Sequence, residues 1–333
     1  MTIIISGGQF GDEGKGKIVS YLARTLDLKA IARAGTGPNA GHTVVHAGVE
    51  YKLRLVPSGF FNKNAKLYIG AGVLVHPPTL LEEIQRTGVE DRIFVDHQTG
   101  IIEEQHILRD RKDTHLKDVI GSTGSGCGPA NEDRARRILK LARDIDSLKP
   151  YLTDVSAELN EIIDSGGEVL IEGSQATHLS LIHGTYPFVT SKDVTASTFA
   201  ADVGIGPTKV DEVIVVFKAF TTRVGTGPLN GELSEDEIRK RGWVEYGTVT
   251  GRPRRAAPFD FSLARKSVQL NGATTLALTK MDIVFPEMAG KISEKDITRG
   301  AMEFIEKVED VAKVPVKYVS TGPGSEHLIV RDI

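Results

Sequence analysis

The sequence predicts an α/β fold: a mostly parallel central sheet with helices on both faces, a phosphate-loop-like first strand-to-helix turn, and extra antiparallel hairpins. Three observations predict it. Short apolar runs rich in β-formers alternate along the 333 residues with amphipathic segments. Several runs are apolar throughout, as strands covered on both faces are. The first of them, "TIIIS", leads through a glycine-rich turn into a helical pattern, the order that presents a helix N-terminus to an anion.

Taken in order, strands are expected over Thr2–Ser6, Ala30–Ala34, Lys66–Ile69, Arg92–Val95, Glu168–Glu172, Val213–Lys218, Thr274–Thr279 and Val314–Val319. Helical spacing of apolar residues falls between them, at Lys15–Thr25, Pro78–Thr87, Glu132–Ala142, Asp154–Ile163, Phe261–Leu270 and Ser293–Val308. The segment "VVHAGVEYKLRLV", 44 to 56, instead reads as a hairpin turning at Ala47-Gly48. No repeat, low-complexity tract or Pro/Ser-rich linker interrupts this pattern, so one domain spanning 1–333 with long ligand-binding loops is expected.

Composition narrows the function classes. With 41 Lys and Arg against 44 Asp and Glu, the net charge of −3 gives no reason to expect nucleic-acid binding or attraction to an anionic membrane. No stretch approaches the roughly 18 apolar residues of a membrane span, and "MTIIISGG" lacks the charged start of a secretory signal. A single cysteine, Cys127, cannot form an internal disulfide, which fits a cytoplasmic location.

Chemistry is concentrated in the glycine-rich loops. In "GDEGKGK" the spacing Gly11-xxxx-Gly16-Lys17 is that of a phosphate-binding loop, with Gly14 and Lys15 between, yet Asp12 and Glu13 stand where polyphosphate should lie and Ile18 replaces the usual magnesium-binding hydroxyl. A carboxylate beside phosphates is repelled unless a cation or a proton transfer involves it, so Asp12 is expected to serve a divalent metal or to act as a base. "NAGHT", residues 39 to 43, puts His42 in a glycine-framed loop after a strand, and since ligand sites gather at the carboxyl ends of parallel strands this loop and the first should converge, where they could share one metal and one phosphate.

The motif "LTKMD" offers Asp282 to the ring N–H and exocyclic amine of guanine and the stem of Lys280 to its face, which favours GTP. "YVSTGPGSE" again places hydroxyls and glycines after a strand, as a second wall for the guanine or its ribose. In "TVTGRPRR", Arg252, Arg254 and Arg255 with Thr248 and Thr250 suit a small dicarboxylate, which each guanidinium fork can take through two parallel bonds. Two further loops carry Thr123, Gln175 and Thr190, able to bind a second nucleotide.

Read in order, "GGQFGDEGKGK", "NAGHT", "STGSGCGPANED", "EGSQ…HGTYPFVTS", "FTTRVGTGP", "VTGRPRR", "LTKMD" and "STGP" resemble the adenylosuccinate synthetases along the whole chain, in a compact form of the family. The resemblance implies GTP-dependent ligation of L-aspartate to IMP through a 6-phosphoryl-IMP intermediate, giving adenylosuccinate, GDP and phosphate, with Mg2+ as cofactor. It implies that Asp12 is the catalytic base and a metal ligand, that the backbone oxygen of Gly41 is a second metal ligand, and that His42 donates toward the β/γ bridge of GTP. Carried over in the same way, Gly11, Glu13, Gly14, Lys15, Gly16, Lys17, Gly41, Thr43, Lys280, Asp282, Ser320 and Gly322 bind GTP. Asn39, Thr123, Gln175 and Thr190 bind IMP, and Thr250, Arg252 and Arg254 grip aspartate.

Family members are homodimers in which one arginine completes the partner's IMP site; here it is Arg136 or Arg137. Against the usual pattern, Phe10 replaces a tryptophan, and Ser125, Cys127, Asn131 and Ile182 replace an arginine, a bulky apolar residue, a tyrosine and an acidic residue. Two other functions stay open on the residues alone: a GTP-binding switch, which Ile18 disfavours, and a ligase joining an amino acid to a different acceptor.

Overall fold

A computed structural model describes residues 1–46, 48–247, 251 and 253–333. Ten strands form one sheet, in the spatial order Leu328–Val330, Val316–Ser320, Thr275–Thr279, Glu212–Lys218, Thr2–Gly7, Glu168–Gly173, Leu28–Ala34, Lys66–Ile69, Ile93–Asp96 and Leu152–Thr153. All neighbours pair in parallel except the edge strand Leu328–Val330, which runs antiparallel to Val316–Ser320.

The reason for this architecture is visible in the central strand. Ile4 packs into one apolar core with the helices Val155–Asp164, Ala196–Val203, Phe261–Asn271 and Arg299–Ala312, while Ile3 and Ile5 pack into a second with the helices Lys15–Thr25 and Pro77–Thr87. A strand buried on both faces must be apolar at every position, and parallel strands need helical crossovers that cover both faces. Glu212–Lys218 repeats the pattern, with Val215 and Phe217 on one side and Ile214 and Val216 on the other. No helix among the described residues is long and apolar enough to cross a membrane.

All eight expected strands lie in this sheet, and the expected hairpin forms from His42–His46 and Val49–Leu53, with Ala47 of its turn outside the described residues. Two helices differ from the sequence expectation. The helix expected over Glu132–Ala142 runs instead over Cys127–Ala135, because the chain reverses at Arg137 in the left-handed conformation, φ 63°. The Arg137 N–H then donates to Arg134 O at 3.0 Å and the Ile138 N–H to Asp133 O at 3.0 Å, the paired bonds that close a helix C-terminus. The last helix is shifted from Ser293–Val308 to Arg299–Ala312, since Glu294–Asp296 forms only a tight 3-10 turn.

Candidate functional site

The motifs "GDEGKGK", "NAGHT", "EGSQ", "FTTR", "LTKMD" and "STGP" leave the same edge of the sheet. The strands ending at Gly7, Ala34, Gly173, Lys218, Thr279 and Ser320 deliver their following loops to one face, the carboxyl edge where open α/β sheets bind ligands.

The first loop carries its own internal anion. The Glu13 carboxylate is wholly buried and accepts from the N–H groups of Gln9 at 3.1 Å and Gly11 at 2.8 Å and from Lys15 Nζ at 2.9 Å. Those contacts hold it well below the usual carboxylate range against the burial that would raise it, with Lys15 the main cause. Glu13 therefore points into the loop and shapes it. Gly14 caps the following helix in the left-handed conformation, φ 86°, and no side chain closes that helix N-terminus.

Asp12 faces the other way. Its backbone is also left-handed, φ 61°, a quarter of its side chain is exposed, and Arg254 Nη2 lies 2.5 Å from its carboxylate. Burial pushes the Asp12 carboxyl above its ordinary value, against the pull of Arg254 and Lys218. Arg254 turns its other nitrogen to Glu245 at 2.9 Å. The same Glu245 carboxylate takes Lys218 Nζ at 2.6 Å and Lys280 Nζ at 3.5 Å, which brings Glu245 to about 2 although burial opposes it. Thus the loops bearing "GDEGKGK", "VTGRPRR" and "LTKMD" meet at one charge cluster. Thr250 and Arg252, with Thr248, lie outside the described residues.

His42 sits against the first turn of the phosphate-loop helix. A Cβ placed on Gly16 would lie 3.1 Å from His42 Cβ and 3.1 Å from Ser58 Oγ, so glycine here lets these segments pack closely without crowding. His42 Nδ1 lies against Glu172 and accepts from Arg33 Nη1 at 2.6 Å, while Nε2 is buried without a hydrogen-bond partner among the described residues. Burial and then Arg33 lower the imidazole to about 4, with Glu172 opposing, so the ring is neutral at pH 7. Thr43, next in the strand, is exposed and turns its backbone oxygen toward Gly16.

Three of the four residues assigned to IMP within one subunit are joined. Gln175, left-handed at φ 61° just after its strand, donates to Asn39 Oδ1 at 2.7 Å and accepts from the Thr36 N–H at 3.1 Å; Asn39 Nδ2 reaches Thr190 Oγ1 at 3.2 Å. Thr123 stands apart, exposed and bonded to Ser125. Asn131 nevertheless ties its helix to this region through Ser191 Oγ at 2.8 Å.

At the far end, Lys17 turns away from the phosphate loop. Its amine reaches Ser320 Oγ at 2.6 Å, His327 O at 2.8 Å and Gly322 O, and burial lowers it to about 8. Thr279 Oγ1 donates to Glu13 O at 2.6 Å, so the "LTKMD" and "STGP" loops are both fastened to the first loop. Lys280 is left-handed at φ 59° and caps the short helix Met281–Val284, with Asp282 in its first turn.

Residues that sequence reasoning passed over are Arg33, Ser58, Glu172, Lys218 and Glu245. The available signal was an ionisable residue closing an apolar run, as Glu172 does in "VLIEG" and Lys218 in "VIVVFK". Among the described residues no three His, Cys, Asp or Glu gather into a metal cage.

The profile of the family described as adenylosuccinate synthetase matches residues 4–146 and 138–292. The adenylosuccinate synthetase of Methanocaldococcus jannaschii is 59% identical over 96% of this chain and 94% of its own, and that of Pyrococcus horikoshii is 53% identical over 99% and 98%. The fully ligated adenylosuccinate synthetase of Plasmodium falciparum superposes with a TM-score of 0.91 at 26% identity, covering 99% of each chain. The succinoaminodeoxyadenylate synthetase of cyanophage S-2L, bound to dGMP and dATP, shares the fold with a TM-score of 0.83 at 24% identity, covering 100% of this chain and 95% of that one.

Proposed function

The chain belongs to the adenylosuccinate synthetase family, which ligates L-aspartate to IMP at the expense of GTP, and on that premise we propose how its residues divide the work. The reading is carried by the meeting of Asp12 with Arg254, which brings the residue assigned as base and one assigned to the incoming amino acid to within 2.5 Å.

Asp12 takes the proton from N1 of the IMP base, and the 6-oxygen becomes nucleophilic toward the γ-phosphoryl group of GTP. Its raised pKa makes it a stronger proton acceptor than an ordinary carboxylate, and its left-handed backbone is the kind of strain that functional loops store. His42 and the uncapped N-terminus of Lys15–Thr25 face the charge that develops on the phosphates, since phosphoryl transfer depends on placement and charge neutralisation. Aspartate, held by Arg254 with Thr250 and Arg252, then displaces the 6-phosphoryl group, a far better leaving group than the original oxygen. For this it competes with Asp12 and Glu245 for the Arg254 fork, so amino-acid binding releases Asp12 from its ion pair.

Asn39, Gln175 and Thr190 form the IMP cradle, to which Thr123 contributes from a separate loop. Lys280 and Asp282 face guanine, and Lys17 braces the Ser320 and Gly322 loop beside it. The donor set fits Mg2+: Asp12 offers a partly exposed hard oxygen and Gly41 a backbone carbonyl, and a magnesium ion bound mainly through substrate phosphates needs few protein ligands. When bound, the ion neutralises phosphate charge and orients the triphosphate.

We read the 333 residues as one catalytic unit, working in the cytoplasm as a homodimer. Of the two arginines that could enter the partner's IMP site, Arg137 is the better candidate. Arg136 is 3.8 Å from Asp133 of its own helix, whereas Arg137 is exposed and occupies the left-handed position where helices usually place glycine, at a cost of about 1–2 kcal/mol.

The experiment is an ultraviolet assay with Mg-GTP, IMP and aspartate together: absorbance shifts as the 6-oxo purine becomes a 6-amino one. GTP hydrolysis at the same rate without IMP and aspartate would instead identify a GTPase switch.

A further inference from the structure

We infer that Glu172, held in place by Arg33 and Ser58, is a positioning residue that aims the free edge of the His42 ring at the phosphates of GTP. The inference rests on the assignment of His42 to those phosphates, and it adds a residue that none of the sequence motifs assigned.

Glu172 is fully buried, and an isolated carboxylate there would cost several kcal/mol. It is compensated on every side. The Ser58 N–H donates to one oxygen at 2.6 Å and Ser58 Oγ to the other at 2.5 Å. That second oxygen also meets Arg33 Nη1 and His42 Nδ1. Arg33 is equally buried and sits directly opposite Glu172 in the parallel register of Leu28–Ala34 and Glu168–Gly173, so two central strands fix the pair. Neither can swing without unpairing the other.

An imidazole has two nitrogens and, left alone, can turn over and exchange them. A neutral ring carries one N–H, so Nδ1 cannot both donate to Glu172 and accept from Arg33; with Arg33, anchored by Glu172, donating to Nδ1 at 2.6 Å, the hydrogen sits on Nε2, which faces away from the pair. That atom is buried and has no hydrogen-bond partner among the described residues. A buried polar atom without a partner costs about 1–3 kcal/mol, and one that persists calls for a partner that arrives later. The base of the His42 side chain and Ser58 lie against Gly16 in the first turn of the phosphate-loop helix, which puts the ring beside the phosphate loop. Ser58 thus touches both the helix turn and Glu172, linking the floor of the phosphate site to the group that orients its histidine.

A bland alternative is that Glu172 only fastens the turn at Ser58 to the sheet. Steady-state kinetics of E172Q, H42N and the double variant separate the two. If Glu172 acts through His42, E172Q lowers kcat about 10–100-fold with KM for GTP and IMP near the parent values, and the double variant is no slower than H42N alone. A kcat for E172Q within about threefold of the parent, or losses that multiply in the double variant, overturns the inference. If H42N itself turns over normally, the assignment of His42 fails instead, which is a different outcome. Should E172Q not fold, S58A removes one bond to Glu172 and keeps its charge. It must then slow the parent and leave the H42N background unchanged, and an equal effect in both backgrounds overturns the inference.

Discussion

Replacing Asp12 by Asn tests the centre of the proposed chemistry and is nearly silent elsewhere. The position is left-handed, φ 61°, a conformation that asparagine tolerates and most residues do not, so the loop keeps its path. Arg254 loses one partner at 2.5 Å but retains Glu245 at 2.9 Å. Because a quarter of the Asp12 side chain is exposed, that ion pair is worth about 1 kcal/mol, a shift of a few degrees at most in a chain of this size. The catalytic loss is much larger. A positioned base is worth about 10²–10⁴ in rate, and D12N should lower kcat by about 10³, or about 4 kcal/mol of barrier, with GTP binding by calorimetry within a few-fold of the parent. In the parent, kcat/KM should fall as pH drops through a carboxyl pKa above the ordinary Asp value, since burial raises Asp12. A D12N enzyme that keeps a tenth or more of the parent kcat would refute the assignment.

Substituting Arg252 by Leu should raise KM for aspartate at least about tenfold and leave those for GTP and IMP near the parent, because a lost charge-assisted pair costs about 1.5–3 kcal/mol; unchanged aspartate kinetics would move that site. Inactive R137L and D12N dimers, mixed under conditions of subunit exchange, should recover about a quarter of the parent activity, because half the dimers become mixed and each gains one complete site. No recovery would mean that Arg137 does not act across an interface. Glu172 is held at about 2 against an ordinary 4.5, so its contribution to stability is full above pH 4.5 and lost as pH falls toward 2. In denaturant titrations, E172Q should therefore show a shallower loss of stability across that window, by on the order of 3 kcal/mol; an unchanged slope would show the carboxylate to be unperturbed.

The sheet was legible because burial on both faces leaves an unbroken apolar run, as in Ile3, Ile4 and Ile5. The edge strands Leu152–Thr153 and Leu328–Val330 were not, being too short to carry a period. The end of Cys127–Ala135 was misplaced because nothing local announces that an arginine will occupy a position suited to glycine. In the site, glycine spacing marked the phosphate loop and the NAGHT loop, and the rule for strand ends brought them together. The inward turn of Glu13 could not be read from its place in the motif, since it depends on two backbone N–H groups that only the folded loop presents. Glu172 and Glu245 act through partners from distant segments, and no spacing in the sequence encodes that kind of meeting.

Because the loops after the parallel strands leave one edge of the sheet, the opposite edge is a free handle. Met1 and the turns at 26–27, 165–167 and 272–274 lie at that end, and Gly166 has open space around it. A fluorescent reporter spliced at Gly166, or a surface tether on Met1, would hang from the side of the molecule away from catalysis. The enzyme could then be immobilised or imaged with its working face turned to solution.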